Sequence, residues 1–101
     1  MLTNESAQSH GEYVCEMLKT LSNATIIGSA TAGANGGVAD FNIPGSITLH
    51  FSWQALILPN GKSFQRYGVQ PDIKIRPTIK GIQAGKDEVL ERAIQFIEYG
   101  R

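Results

Sequence analysis

A single cysteine in 101 residues excludes an internal disulfide framework, and no apolar run approaches the roughly 20 residues that a membrane-spanning helix needs. An excess of either charge is lacking too, since nine basic and nine acidic side chains cancel and neither sign gathers in a long run. That balance removes the electrostatic footprint of a nucleic-acid or anionic-membrane binder. The opening Met1-Leu2-Thr3-Asn4 has neither the basic region nor the apolar core of an export signal. Internal repeats and low-complexity stretches are also missing, and no cofactor or metal requirement is read from the chain.

What remains is 42% hydrophobic, enough for one folding unit over residues 1–101 with a modest core. Val14, Met17, Leu18 and Leu21 recur at the spacing of one buried helical face, so a helix is expected from near Ser9 until Ser22-Asn23 breaks the pattern. Cys15 falls inside it and is expected to be a buried, inert thiol. The competing reading, a cysteine nucleophile, needs a nearby histidine and some exposure.

Ala24-Thr25-Ile26-Ile27-Gly28 is continuously apolar or β-branched and reads as a short buried strand. Residues 29–45, with four glycines and Pro44, are expected to form a long loop whose backbone can approach a ligand. Ile47, Leu49 and Phe51 alternate with Thr48 and His50, and residues 53–58 lead into Asn60-Gly61, so a two- or three-stranded antiparallel insert is expected. His50 reads as an exposed strand histidine against the alternative of a catalytic base. Phe51 and Trp53 read as packing residues against the alternative of a peptide subsite. A tight turn is expected at residues 68–72, a short strand at Ile73-Lys74-Ile75 ended by Pro77, and a last helix from the Asp87 cap to Gly100.

The chemistry concentrates in Asn4-Glu5-Ser6-Ala7-Gln8-Ser9-His10-Gly11-Glu12, which places Ser9 where an extended segment becomes the first helix. Free N–H groups of a first helical turn can stabilise an oxyanion, and the His10 N–H is the natural donor there. Ser9-His10-Gly11-Glu12 also fits a capping box, in which Ser9 and Glu12 satisfy each other's backbone N–H. Taken alone, the local motif favours the cap.

Together with Ile27-Gly28 through Thr31-Ala32-Gly33, and with Gly68-Val69-Gln70-Pro71-Asp72, that segment resembles the C-terminal processing, or tail-specific, serine peptidases. The likeness runs from about Leu2 to about Ile97, including Gly85-Lys86-Asp87 at the last helix. It implies an α/β, crotonase/Clp-protease-like partial domain, with two helices packed on a small mixed sheet plus a β-hairpin. The chain would be the C-terminal segment of such a catalytic domain, with the upstream half and its PDZ domain supplied elsewhere. The resemblance further implies Ser9 as nucleophile, the His10 N–H as oxyanion donor, and a peptide or protein as substrate. For a parent like the bacterial members it implies the cell envelope or periplasm.

One departure bears on mechanism: where members of this family carry an activating lysine in the glycine-rich loop, this chain has Ala34. A serine hydroxyl is a poor nucleophile without a positioned base. Other branches, resembling tricorn protease, use a histidine from the upstream half and an acid nearer the C-terminus, but Ser63-Phe64-Gln65-Arg66-Tyr67 holds no carboxylate. His10 is a poor substitute because adjacent helical residues point about 100° apart, and Lys19 and Lys62 read as solvated surface charges. The base is therefore expected outside this chain, leaving the isolated segment inactive. The rival is a noncatalytic, peptide-binding or scaffolding relative. Unpaired strand edges predict self-association, or pairing with the remaining half of the domain.

Overall fold

The computed structural model describes residues 1–22 and 24–100, so the break expected at Ser22-Asn23 lies partly outside the described residues. In chain order the elements are β1 (Leu2–Thr3), α1 (His10–Ser22), β2 (Ile27–Gly28), β3 (Val38–Ile43), β4 (Ile47–Ser52), β5 (Ile73–Lys74), α2 (Ile79–Gln83) and α3 (Glu88–Tyr99). β1, β2 and β5 form a parallel sheet in the order 1-2-5, and β3 and β4 form a separate antiparallel pair. This is the mixed α/β architecture expected, with helices, a small sheet and a hairpin. The five-residue helix α2, capped by the Thr78 side chain on the Gly81 N–H, is one more than the two helices anticipated.

The core is small: Cys15, Ile26, Phe64 and Val69 are buried together, with Leu56 and Leu58 packed against them. Cys15 is a free, buried thiol, as its place on α1 suggests. The expected inner face of α1 does not form. Val14, Met17, Leu18 and Leu21 are all exposed, and the helix instead turns Glu12 and Cys15 inward. The physical reason is that α1 lies with its polar edge against the glycine-rich loop, leaving the apolar stripe with nothing among the described residues to cover it. α3 behaves alike, capped by Asp87 on the Leu90 N–H and closed by left-handed Gly100, yet it buries no residue. A radius of gyration of 17.2 Å, against about 13 Å for a compact 100-residue domain, reflects the same thin packing.

Three loop expectations are corrected. The irregular stretch after β2 ends at Val38, because Ala39-Asp40-Phe41-Asn42-Ile43 alternates and pairs with β4 from Val38↔Ser52 to Ile43↔Ile47. Left-handed backbone at Gly45 and Ser46 reverses that hairpin. The Asn60-Gly61 turn forms through Gly61 N–H to Leu58 O at 2.8 Å, but it joins a single bridge, Ile57↔Ser63, rather than two strands. The turn expected at residues 68–72 sits earlier, where the Tyr67 and Gly68 N–H groups both donate to Phe64 O at 3.0 Å. The strand over 24–28 is reduced to Ile27–Gly28, flanked by Ile26, whose N–H donates to Asp72 Oδ2 at 2.8 Å.

Candidate active site

Ser9 is the last residue before α1, and its backbone is left-handed, with φ of 51°. A residue with a Cβ pays steric strain there, of about 1–2 kcal/mol, so the surroundings must hold it in place. They do so from both sides. The Ser9 N–H donates to Ala34 O at 3.0 Å and to Glu12 Oε2 at 3.1 Å, while Ser9 O accepts from the Glu12 and Tyr13 N–H groups at 3.0 and 3.2 Å.

Half of the capping box is therefore present. The Glu12 carboxylate takes the Ser9 N–H, but the reciprocal bond is replaced, because the Glu12 N–H goes to the Ser9 carbonyl. Among the described residues Ser9 Oγ has no hydrogen-bond partner. The next N–H, that of His10, likewise meets no acceptor among the described residues. The His10 ring leans towards Tyr13, with centroids 6.0 Å apart and planes tilted by 36°.

Ser9 and His10 line a cavity of about 300 Å³ with Tyr13, Asn35, Gln54 and Leu56. Asn35 Nδ2 is buried without a partner. A larger cavity of about 850 Å³ lies between β1, α2 and α3, lined by residues such as Ser6, Cys15, Ile82 and Val89, and does not include Ser9. Proximity to a free hydroxyl and a free N–H makes the smaller cleft the relevant one.

The glycine-rich loop is fastened to this turn. The Ala32 N–H donates to Ala7 O at 2.9 Å, beside the Ser9–Ala34 bond, so residues 7–9 and 32–34 run together. Ala34, at the position of the absent lysine, offers only backbone: its carbonyl receives Ser9 and its N–H donates to Glu12 Oε2 at 3.0 Å. Gly33 is required here, because φ is 67° and an added Cβ would meet the backbone of Arg66 and Tyr67 at 2.8 Å. Glu5 ties the other flank, accepting from Ser29 Oγ at 2.6 Å. That hydroxyl, followed by Glu5's own backbone and the charge of Arg76, holds its carboxyl below the ordinary glutamate range.

Other candidates fall away from the cleft. His50 is exposed on β4 and bonded across the strand pair to Asp40 Oδ1 at 2.7 Å. Phe51 and Trp53 are exposed and do not line the Ser9 cavity, whereas Gln54 and Leu56 do. Lys62 is exposed, as expected, but Lys19 is not a free surface charge. Its Nζ pairs with Asp72 Oδ1 at 2.9 Å and donates to Gln70 O at 3.1 Å, tying α1 to the approach of β5. Among the described residues no group of three His, Cys or acidic side chains could hold a metal, and no helix is long and apolar enough to cross a membrane. The residue that the sequence undervalued is Glu12, visible there only as the fourth member of a Ser-x-x-Glu cap.

A strained serine at a helix start, facing a cleft and laced to a glycine-rich loop, is an arrangement found in serine hydrolases. The model of peptidase family S41 matches residues 1–75, and the chain belongs to that family. It is 31% identical over 98 residues to the tricorn protease of Thermoplasma volcanium, covering 95% of this chain and 10% of that protein. Its fold superposes on the crystal structure of tricorn protease with a TM-score of 0.81 and 27% identity, covering 95% of this chain and 10% of that one. On mature CPAF the TM-score is 0.78 with 28% identity, covering 96% of this chain and 20% of that one. The chain thus spans about a tenth to a fifth of the length of these relatives.

Proposed function

We propose that residues 1–101 form the nucleophile-bearing, C-terminal segment of a serine endopeptidase domain of the tail-processing type, built on a crotonase-like core. The observation that carries this reading is Ser9 Oγ, at φ of 51°, beside the His10 N–H in one cleft, neither with a hydrogen-bond partner among the described residues. In the reaction, Ser9 Oγ gives its proton to a base and bonds to the scissile carbonyl carbon. The His10 N–H stabilises the oxygen that becomes negative. Collapse expels the amine, which takes up the proton, and leaves an acyl-enzyme that water then hydrolyses, freeing Ser9.

Neither Ala34 nor the segment 63–67 supplies the base, and the His10 ring is turned to Tyr13. Similarity to tricorn protease and CPAF, together with the missing lysine, favours activation by a group from the upstream half of the domain. The substrate is a peptide or protein. The exposed apolar faces of α1 and α3 and the open outer edges of β1 and β5 are the surfaces that this upstream half would cover.

A serine-directed fluorophosphonate tests the reading on the full-length protein. Labelling at Ser9 that is lost in Ser9→Ala is the expected result, and an unlabelled but peptide-binding protein would favour the noncatalytic alternative, for which Ala34 is the supporting feature. The 101-residue chain alone is expected to cleave no peptide and to self-associate. A light-scattering mass of one chain at high concentration would contradict the second expectation.

A further inference from the structure

Glu12 is a fully buried carboxylate that meets no cation among the described residues, and it accepts four hydrogen bonds. Oε1 receives Thr31 Oγ1 at 2.5 Å and the Gly33 N–H at 2.6 Å, while Oε2 receives the Ser9 N–H at 3.1 Å and the Ala34 N–H at 3.0 Å. A helix cap needs only the Ser9 bond; the other three reach 19 to 22 residues along the chain. They create a closed circuit in which Ser9 N–H and Ala34 N–H share Oε2, and Ser9 N–H also meets Ala34 O. Thr31 extends it, since its Oγ1 accepts from the Val69 N–H at 2.8 Å while donating to Glu12.

These bonds tie the left-handed turn at Ser9 to residues 31–34, whose next residue, Asn35, lines the same cleft. A turn that is sterically unfavourable by itself is held by bonds to a carboxylate that water cannot reach. Resting on the reading of Ser9 as nucleophile, we infer that Glu12 is a positioning residue: it fixes Ser9 Oγ against the glycine-rich loop and sets the rate of acylation without touching substrate.

Glu12→Gln is the direct probe, because it preserves size but replaces one acceptor oxygen by an NH₂ that faces N–H donors. In the full-length protein, fluorophosphonate labelling of Ser9 and kcat on a peptide should fall together by roughly 10- to 100-fold, as a displacement of about 1 Å costs. KM should stay within a factor of about two, and the Gly33 and Ala34 amides should exchange faster with solvent. Glu12→Asp, which keeps the charge but shortens the reach, should be impaired in the same way while remaining folded. Labelling of folded Glu12→Gln at the wild-type rate would overturn the proposal, as would a loss confined to KM. If both variants unfold, Glu12 holds the fold alone and the proposal falls. A wild-type protein that takes no label at Ser9 would instead sink the nucleophile reading, an outcome separate from normal wild-type labelling beside an unimpaired Glu12→Gln.

Discussion

Replacing Ser9 separates what its hydroxyl does from what its backbone costs. At φ of 51° a side chain with a Cβ is disfavoured by about 1–2 kcal/mol relative to glycine. Glycine recovers that strain but loses about 0.5–1 kcal/mol through its freer unfolded chain. The balance predicts that Ser9→Gly closes the turn more firmly than Ser9→Ala by about 0.5–1 kcal/mol, a two- to fivefold difference in local opening. On the proposed reading neither variant can form an acyl-enzyme, so both are expected to lose labelling completely. The readout is amide hydrogen exchange at Glu12 and Tyr13, whose N–H groups close on the Ser9 carbonyl at 3.0 and 3.2 Å. Slower exchange in the glycine variant is expected. Faster exchange there than in the alanine variant would mean that the turn is unstrained, and that its geometry says nothing about why a serine occupies it.

Gly28→Ala should be the most damaging small substitution in the sheet, since φ is 137° and the added Cβ would meet Thr3 O at 1.9 Å. A loss of about 3 kcal/mol or more is expected in urea unfolding, and a change below about 1 kcal/mol would show that the β1–β2 contact is looser than described. Asp72 accepts first from the Ile26 N–H and then from Lys19, which holds its carboxyl below the ordinary aspartate range. The lowered value means that its stabilisation is present above the unfolded-state pKa of about 3.9 and fades as pH falls through the folded value. Asp72→Asn should flatten the acid limb of the stability curve below about pH 4, and an unchanged limb would contradict this. Asp87→Ala should cost about 1 kcal/mol by removing the α3 cap, measurable as earlier fraying of the Leu90 amide.

Elements whose signals are local were legible in the chain. The α3 limits follow from Asp87 and Gly100, each of which acts within a turn of its own position, and the β4 alternation identified a hairpin strand. β3 carries an equally clear alternation in residues 39–43, but the glycines before it and Pro44 after it carry the competing signal of a loop. α1 began where expected, but its buried side did not follow from periodicity. An apolar stripe says which residues gain by burial, not whether a partner is present to bury them.

Taken by itself, the order of residues determined where α1 and α3 begin and that Ser9 stands at a helix entrance. Ser-x-x-Glu was compatible with both a cap and a nucleophile turn, because both need the same local spacing. Only tertiary structure decided how that pattern is used. Contacts from residues 31–34 share the Glu12 carboxylate with the Ser9 N–H, while the Glu12 N–H closes on the Ser9 carbonyl and leaves Ser9 Oγ without a partner among the described residues. Spacing along one helix cannot encode such contacts, since they depend on where a loop some 20 residues away comes to rest.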